Sequence, residues 1–148
     1  MEAYDIAHLS GNNPVGVMVV SEDGILKKED YRKFLIKKAK GGNDPGALKE
    51  ILIRRFNHND WPLPKLIVVD GGKIQKNVAE KVMSQYGYKI KVVAVVKDER
   101  HKPKNLIGDD VTIKNKSTDI LKLNHEAHRF AINFHRKKRS KIFWVENL

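Results

Sequence analysis

The sequence predicts a mixed α/β fold in the order β-β-β-α-β-α-β-α, a mixed sheet with helices on both faces. Three observations predict it. Strand-like runs joined by short turns fill the first quarter of the chain, which makes an antiparallel meander. Two apolar runs rich in β-branched residues, Leu66 to Val69 and Ile90 to Val96 with Lys91 its one charge, read as strands buried on both faces. Helical spacing of apolar residues precedes, separates and follows those two runs, so helices cover the sheet. With 148 residues, 41% of them hydrophobic, the chain can bury roughly two thirds of its unfolded surface around one core, and residues 1–148 are read as a single domain.

The first strand is Glu2 to Leu9, where Ala3, Asp5, Ala7 and Leu9 alternate with Tyr4, Ile6 and His8. Ser10 to Pro14 is turn chemistry, Val15 to Val20 is the second strand, and Ser21 to Gly24 closes a hairpin into a third strand from Ile25 to Ile36. After the basic run Lys37 to Lys40, Asp44 suits an N-cap and Pro45 the first helical position, with Leu48, Ile51, Leu52 and Phe56 following at helical spacing. Pro62 and Pro64 lead into the strand that ends at Asp70. A second helix reads from Ile74 through Val78, Val82 and Met83 to a stop at Gly87. Lys97 to Lys104 is a charged loop and Val111 to Ile113 a short edge strand. The last helix runs from about Thr118 into the cluster His135 to Lys141. At about 100° per residue its Ile120, Leu123, Ala127, Phe130, Ala131 and Phe134 form one apolar stripe, with His128 and His135 together at one margin and His125 further round.

Charge narrows the classes of partner. Twenty-nine Lys and Arg against 18 Asp and Glu give +11, which favours a polyanion, and nucleic acid is the first candidate because counterion release supplies sequence-independent affinity. The absence of cysteine excludes a disulfide framework, a zinc-thiolate site and a thiol nucleophile, and it fits a reducing, cytoplasmic location. No membrane association is expected: Met1 is followed by Glu2 and Asp5 rather than a leader, no apolar run reaches spanning length, and no basic amphipathic anchor is present.

Candidate chemistry begins at Asp70, at the carboxyl end of a central strand, where open α/β sheets bind ligands; Gly71 and Gly72 let backbone approach a ligand there. The plainer reading is that Asp70 only caps the following helix. Asp5 weighs against that, because a carboxylate in mid-strand is disfavoured and costly to bury without a partner. The order of elements is also that of the ribonuclease H-like fold, in which the first and fourth strands lie side by side and each can offer an acidic residue to a divalent metal. That is an analogy of architecture and fixes no function.

The residues themselves carry a closer likeness. EAYDIAH, VVDGGKIQ and HEAHRFAINFHRKKRSK resemble the three signature stretches of the C-terminal endonuclease domain of UvrC, the incision subunit of bacterial nucleotide excision repair. MVVSEDGILKKEDYRKF and GGNDPGALKEILIRRF are similar to the family's second and third strands and first helix, so the resemblance spans nearly the whole chain. It implies a ribonuclease H-like, metal-dependent nuclease that cuts damaged double-stranded DNA on the 5′ side of a lesion, excised from a longer chain that also holds a GIY-YIG nuclease domain, a segment for the helicase subunit UvrB and a helix-hairpin-helix module. Asp5 and Asp70 match the family's two essential aspartates, and His128 matches its histidine, which stands where relatives of the fold carry another carboxylate. Asp44 matches a further acidic position, and His135 is a possible addition. The chain departs from the family pattern at Asn124-His125, where Arg-Asp is usual, and at Asn43 and Pro45, where an acidic residue and a tyrosine are usual.

The expected metal set is Asp5, Asp70 and His128, with Mg²⁺ or Mn²⁺ as the ion. Carboxylate oxygens suit either ion, and an imidazole ligand shifts preference toward Mn²⁺. Alternatively His128 stays off the metal and carries a proton. Lys73, Arg136, Lys137, Lys138, Arg139 and Lys141 are the candidate phosphate contacts, set against the plainer reading of a solvated helix end. Two other classes compete. A non-catalytic basic DNA-binding module needs no Asp5 and Asp70, and a nucleotide-phosphate loop at Asp70 to Lys73 lacks the GxxxxGK[ST] spacing.

Overall fold

The computed structural model describes residues 1–8, 14–40, 42–136 and 144–145. A hairpin starts the sheet: β1 (Glu2–Ala7) pairs antiparallel with β2 (Val15–Glu22), which pairs on its other side with β4 (Arg32–Leu35). After helix α1 (Asp44–Phe56), β5 (Leu66–Asp70) returns to lie parallel to β1; after α2 (Lys73–Gln85), β6 (Lys91–Lys97) lies parallel to β5. Strand β7 (Pro103–Ile107) forms one edge, and β8 (Trp144–Val145) pairs with β4 at the other. The resulting order is β7-β6-β5-β1-β2-β4-β8, with a two-residue β3 (Ile25–Leu26) attached to β2. This is the expected mixed sheet with β1 beside the aspartate strand, and helices cover both of its faces.

The pleat sorts residues into two cores. Tyr4, Ile67, Val69, Val92 and Ala94 face α1 and α2 and meet Leu48, Ile51, Leu52, Val82 and Met83. Ala3, Val17, Val68, Val93 and Val95 face the long helix α3 (Asp110–Arg136) and meet Ile120, Leu123, Ala127 and Ala131. On the first face Gly16 of β2 lets Ile51 approach so closely that an added Cβ would lie 2.6 Å from Ile51 Cγ2. Because Gly16 stands in the sheet between Val15 and Val17, neither backbone gives way easily. Gly16→Ala should therefore lower stability by about 1–3 kcal/mol, as overpacked cores do, and a urea midpoint unchanged from the parent would contradict this packing.

Several expected boundaries are corrected. The third strand does not run from Ile25 to Ile36: a 3₁₀ turn at Lys28–Asp30 breaks it, so that Tyr31 turns inward, 2% exposed, and its hydroxyl donates to Glu126 Oε2 at 2.7 Å. Val111 to Ile113 is not a strand. It is the first turn of α3, because Asp109 Oδ2 accepts from both the backbone N–H and the hydroxyl of Thr112, at 3.0 and 2.7 Å. The edge strand is β7 instead, where Pro103 is tolerated because an edge can leave an N–H position unpaired. Asn43, not Asp44, caps α1, accepting from Gly46 N–H at 3.1 Å, which puts Asp44 and Pro45 in its first turn. Ile74, expected on the buried face of α2, is 64% exposed.

Candidate active site

The parallel ladder pairs Ala3 with Val68 and Tyr4 with Val69, so Asp5 and Asp70 come one step later, abreast on neighbouring strands. Their side chains share the face of Ala3 and Val68, the one covered by α3, and neighbouring strands are separated by about 4.8 Å. Lys97, two residues beyond Val95 at the end of β6, is on the same face, and its Nζ lies 2.5 Å from Asp70 Oδ1. Helix α3 closes the cluster with two residues one turn apart. Asn124 Nδ2 donates to Asp70 Oδ1 at 3.2 Å, and His128 Nδ1 stands 3.3 Å from Asp5 Oδ2. Five side chains from four elements thus meet at the carboxyl edge of the central strands.

Their surroundings differ. Asp5 is 7% exposed, and burial raises its carboxyl above the usual range; the hydrogen bond to His128 opposes this, and the Asp70 charge adds to it. The His128 ring is half exposed, and its pKa is raised, chiefly by the hydrogen bond to Asp5. For both groups the folded value lies above the unfolded one, so their contribution to stability is full below the unfolded pKa and is lost as pH rises through the folded one. Asp5→Asn removes the charge that holds the imidazolium. In divalent-free buffer the His128 ring of that variant should titrate at lower pH than in the parent, measured by NMR of the imidazole resonances. An unmoved titration would contradict the pairing.

The backbone after Asp70 is fitted to this place. Gly71 has φ +133°, a conformation that side chains rarely adopt, and a Cβ there would lie 2.6 Å from the Gln75 side chain. Gln75 Oε1 accepts the Gly72 N–H at 2.9 Å, which fixes the entry to α2, and Lys73 is exposed as the first residue of that helix. Asp44 does not join the cluster: its Oδ1 meets His8 Nε2 at 2.7 Å just past the carboxyl end of β1, and no hydrogen bond or ion pair links it to Asp5 or Asp70 among the described residues. The side chains of His135 and Arg136, and all of Lys137, Lys138, Arg139 and Lys141, lie outside the described residues.

Sequence reasoning missed Lys97 and Asn124. The signal for Lys97 was its parity with Val93 and Val95 at the end of an apolar strand. That for Asn124 was its i, i+4 spacing from His128.

Asp5 and Asp70 are the two groups here whose oxygens could hold a divalent cation. The cluster crowds two carboxylates, one of them largely desolvated, and draws an ammonium onto the other. Among the described residues no three His, Asp or Glu side chains are grouped so as to hold a metal ion, the expected set of Asp5, Asp70 and His128 included. Mg²⁺ does not need three, since it is commonly held by one or two carboxylates, waters and substrate phosphates.

Comparison with known proteins gives the family. The family model described as the UvrC RNase H endonuclease domain matches residues 1–132. The chain is 42% identical over 148 residues to UvrABC system protein C of Caldicellulosiruptor saccharolyticus, covering 95% of this chain and 25% of the relative. It is 38% identical over 164 residues to that of Clostridium perfringens, covering 95% and 26%, and 37% identical over 157 residues to that of Finegoldia magna, covering 97% and 26%. The chain thus spans about a quarter of the length of these relatives. A mixed sheet with β1 beside β5, helices on both faces and a family match over most of its length identify the chain as a member of the UvrC RNase H endonuclease domain family.

Proposed function

We propose that this domain is a divalent-metal-dependent endodeoxyribonuclease that hydrolyses a phosphodiester bond 5′ of a lesion in damaged double-stranded DNA, acting in nucleotide excision repair within a longer chain that engages UvrB. The observation that carries the proposal is the pair Asp5 and Asp70, abreast on one face of adjacent parallel strands with His128 and Lys97 against them.

Asp5 and Asp70 would hold Mg²⁺ or Mn²⁺ through carboxylate oxygens. The bound ion would supply an acidified water at neutral pH and neutralise charge growing on the phosphoryl group. Asn124 orients Asp70 by its hydrogen bond. His128, whose Nδ1 faces Asp5, suits a proton carrier: Asp5 holds the ring and favours its protonated form, leaving Nε2 on the far side to exchange a proton with attacking water or the leaving 3′-oxygen. Lys97 supplies a positive charge at the same edge, and with exposed Lys73 would meet the phosphates flanking the scissile bond.

The test is incision of a lesion-bearing duplex by the complete protein assembled with its partners. A cut 5′ of the lesion should vanish on chelation and return with Mg²⁺ or Mn²⁺. His128→Ala should lose one limb of the pH profile, and raising Mn²⁺ should not restore the rate; restoration by Mn²⁺ would make His128 a ligand. A chelator-resistant cut, or a cut on the 3′ side only, would overturn the proposal.

A further inference from the structure

We propose that the groove along α1 is a second contact site for DNA, holding the backbone of one strand about three to four nucleotides from the bond at Asp5 and Asp70. The inference takes the position of that bond from the proposed nuclease function; the binding itself is argued independently.

The groove, of about 580 Å³, lies between the segment after β4 and the face of α1 that carries Asn43, Lys49, Glu50 and Arg54. Strands β1 and β4 are both antiparallel to β2, so they run parallel to each other, and Lys37 and Lys38 emerge at the same edge of the sheet as the two aspartates. Glu50 is the one carboxylate among the described lining residues, and its charge is absorbed internally. It accepts the backbone N–H groups of Lys37, Lys38 and Ala39 at 2.6, 2.8 and 3.1 Å and pairs with Arg54 at 3.6 Å. Arg54 is itself buried and donates to the Leu35 carbonyl. The field facing solvent is then set by exposed Lys38 and Lys49. Ammonium groups on the rim of an open groove suit point contacts to a polyanion rather than enclosure of a small ligand.

Strand spacing sets the register. β4 lies two steps from β1 and three from β5, roughly 10 to 15 Å at about 4.8 Å per step, and a duplex strand carries one charge per 3.4 Å of rise, so about three to four nucleotides separate groove and cut.

The experiment measures duplex binding by this chain in EDTA across a salt series. Lys38→Ala with Lys49→Ala should weaken binding and reduce the slope of log affinity against log salt by about 1 to 2. The arginine pair at the same positions should restore it, and thermal midpoints should match the parent, since both side chains are exposed. In the complete protein on a lesion duplex, neutral methylphosphonates placed three to four nucleotides from the cut should depress incision in the parent and have no further effect in the double alanine variant. An unchanged salt slope, or methylphosphonate sensitivity that persists in the variant, overturns the groove. Asp70→Asn separates the two readings: if it still cuts while the lysine variant loses its slope, the nuclease assignment fails and the groove stands.

Discussion

Asp5→Asn and Asp70→Asn are each expected to reduce 5′ incision by about a thousandfold or more, while DNA affinity holds or rises slightly. Each change removes one negative charge at nearly constant shape, so the core facing α3 stays packed, and less repulsion of phosphate remains at the edge of the sheet. A thousandfold loss is about 4 kcal/mol of transition-state stabilisation, within what removal of a charge-stabilising group costs in a water-excluded site. The two aspartates act on one centre, so the double variant should be scarcely slower than either single one. Parent-like incision by both single variants, measured in the complete assembly, would leave the domain as a DNA-positioning module. Multiplying losses in the double variant would mean that the aspartates serve separate steps.

The second large effect is on stability and lies at the opposite end of β1. Arg55, 1% exposed, makes a bidentate pair with Glu2, Nε to Oε1 at 2.9 Å and Nη2 to Oε2 at 2.6 Å, and also donates to the Pro62 carbonyl at 2.7 Å. Its guanidinium lies 4.6 Å from the Phe56 ring centroid and 5.4 Å from that of Trp61, and the Tyr4 hydroxyl bonds to the same Glu2 carboxylate. Removing one partner strands the other charge in the core. Arg55→Met should therefore cost about 3–5 kcal/mol. Glu2→Leu combined with Arg55→Met removes both charges and should recover much of that loss, limited by the Tyr4 hydroxyl, which keeps only the Met18 sulfur at 3.4 Å. Urea unfolding of the two variants reads the difference. If the double variant were as unstable as the sum of its parts, packing rather than charge would hold this corner.

The parts of the fold that followed from sequence were those where a local pattern and the tertiary environment agree. Leu66 to Val69 is apolar on both sides because helices cover both sides, and Asp5 was informative because it breaks the alternation of a buried strand. Where the two disagree, sequence misled. Val111-Thr112-Ile113 has strand propensity, but the cap made by Asp109 starts a helix there, and a cap outweighs the weaker preference of β-branched residues for strands. Tyr31 to Ile36 alternates like the end of a strand begun at Ile25, yet burial of Tyr31 against Glu126 and the edge contact between the Tyr31 and Phe130 rings, 5.0 Å between centroids, require a break before it. Lys97 reads as the start of a loop because it opens a run dense in charge, Lys97 to Lys104, after an apolar strand. Only the strand register shows that its side chain shares a face with Asp70. Asn124 was read as a departure from a pattern. Its bond to Asp70 spans 54 residues, and the one local hint is its i, i+4 spacing from His128.

The order in which the site's parts occur along the chain has a consequence for when activity can arise. Asp5, Asp70 and Lys97 are all supplied by residue 97, but Asn124 and His128 come from the helix that also covers Val17, Val68, Val93 and Val95. A ribosome must therefore release nearly all of α3 before the sheet has its second cover, and the same docking event that shields those valines brings the histidine to Asp5. A nascent chain, or one clipped between β7 and α3, has neither a finished core nor a finished centre. Closure of the second core and assembly of the side-chain cluster therefore coincide in a single step.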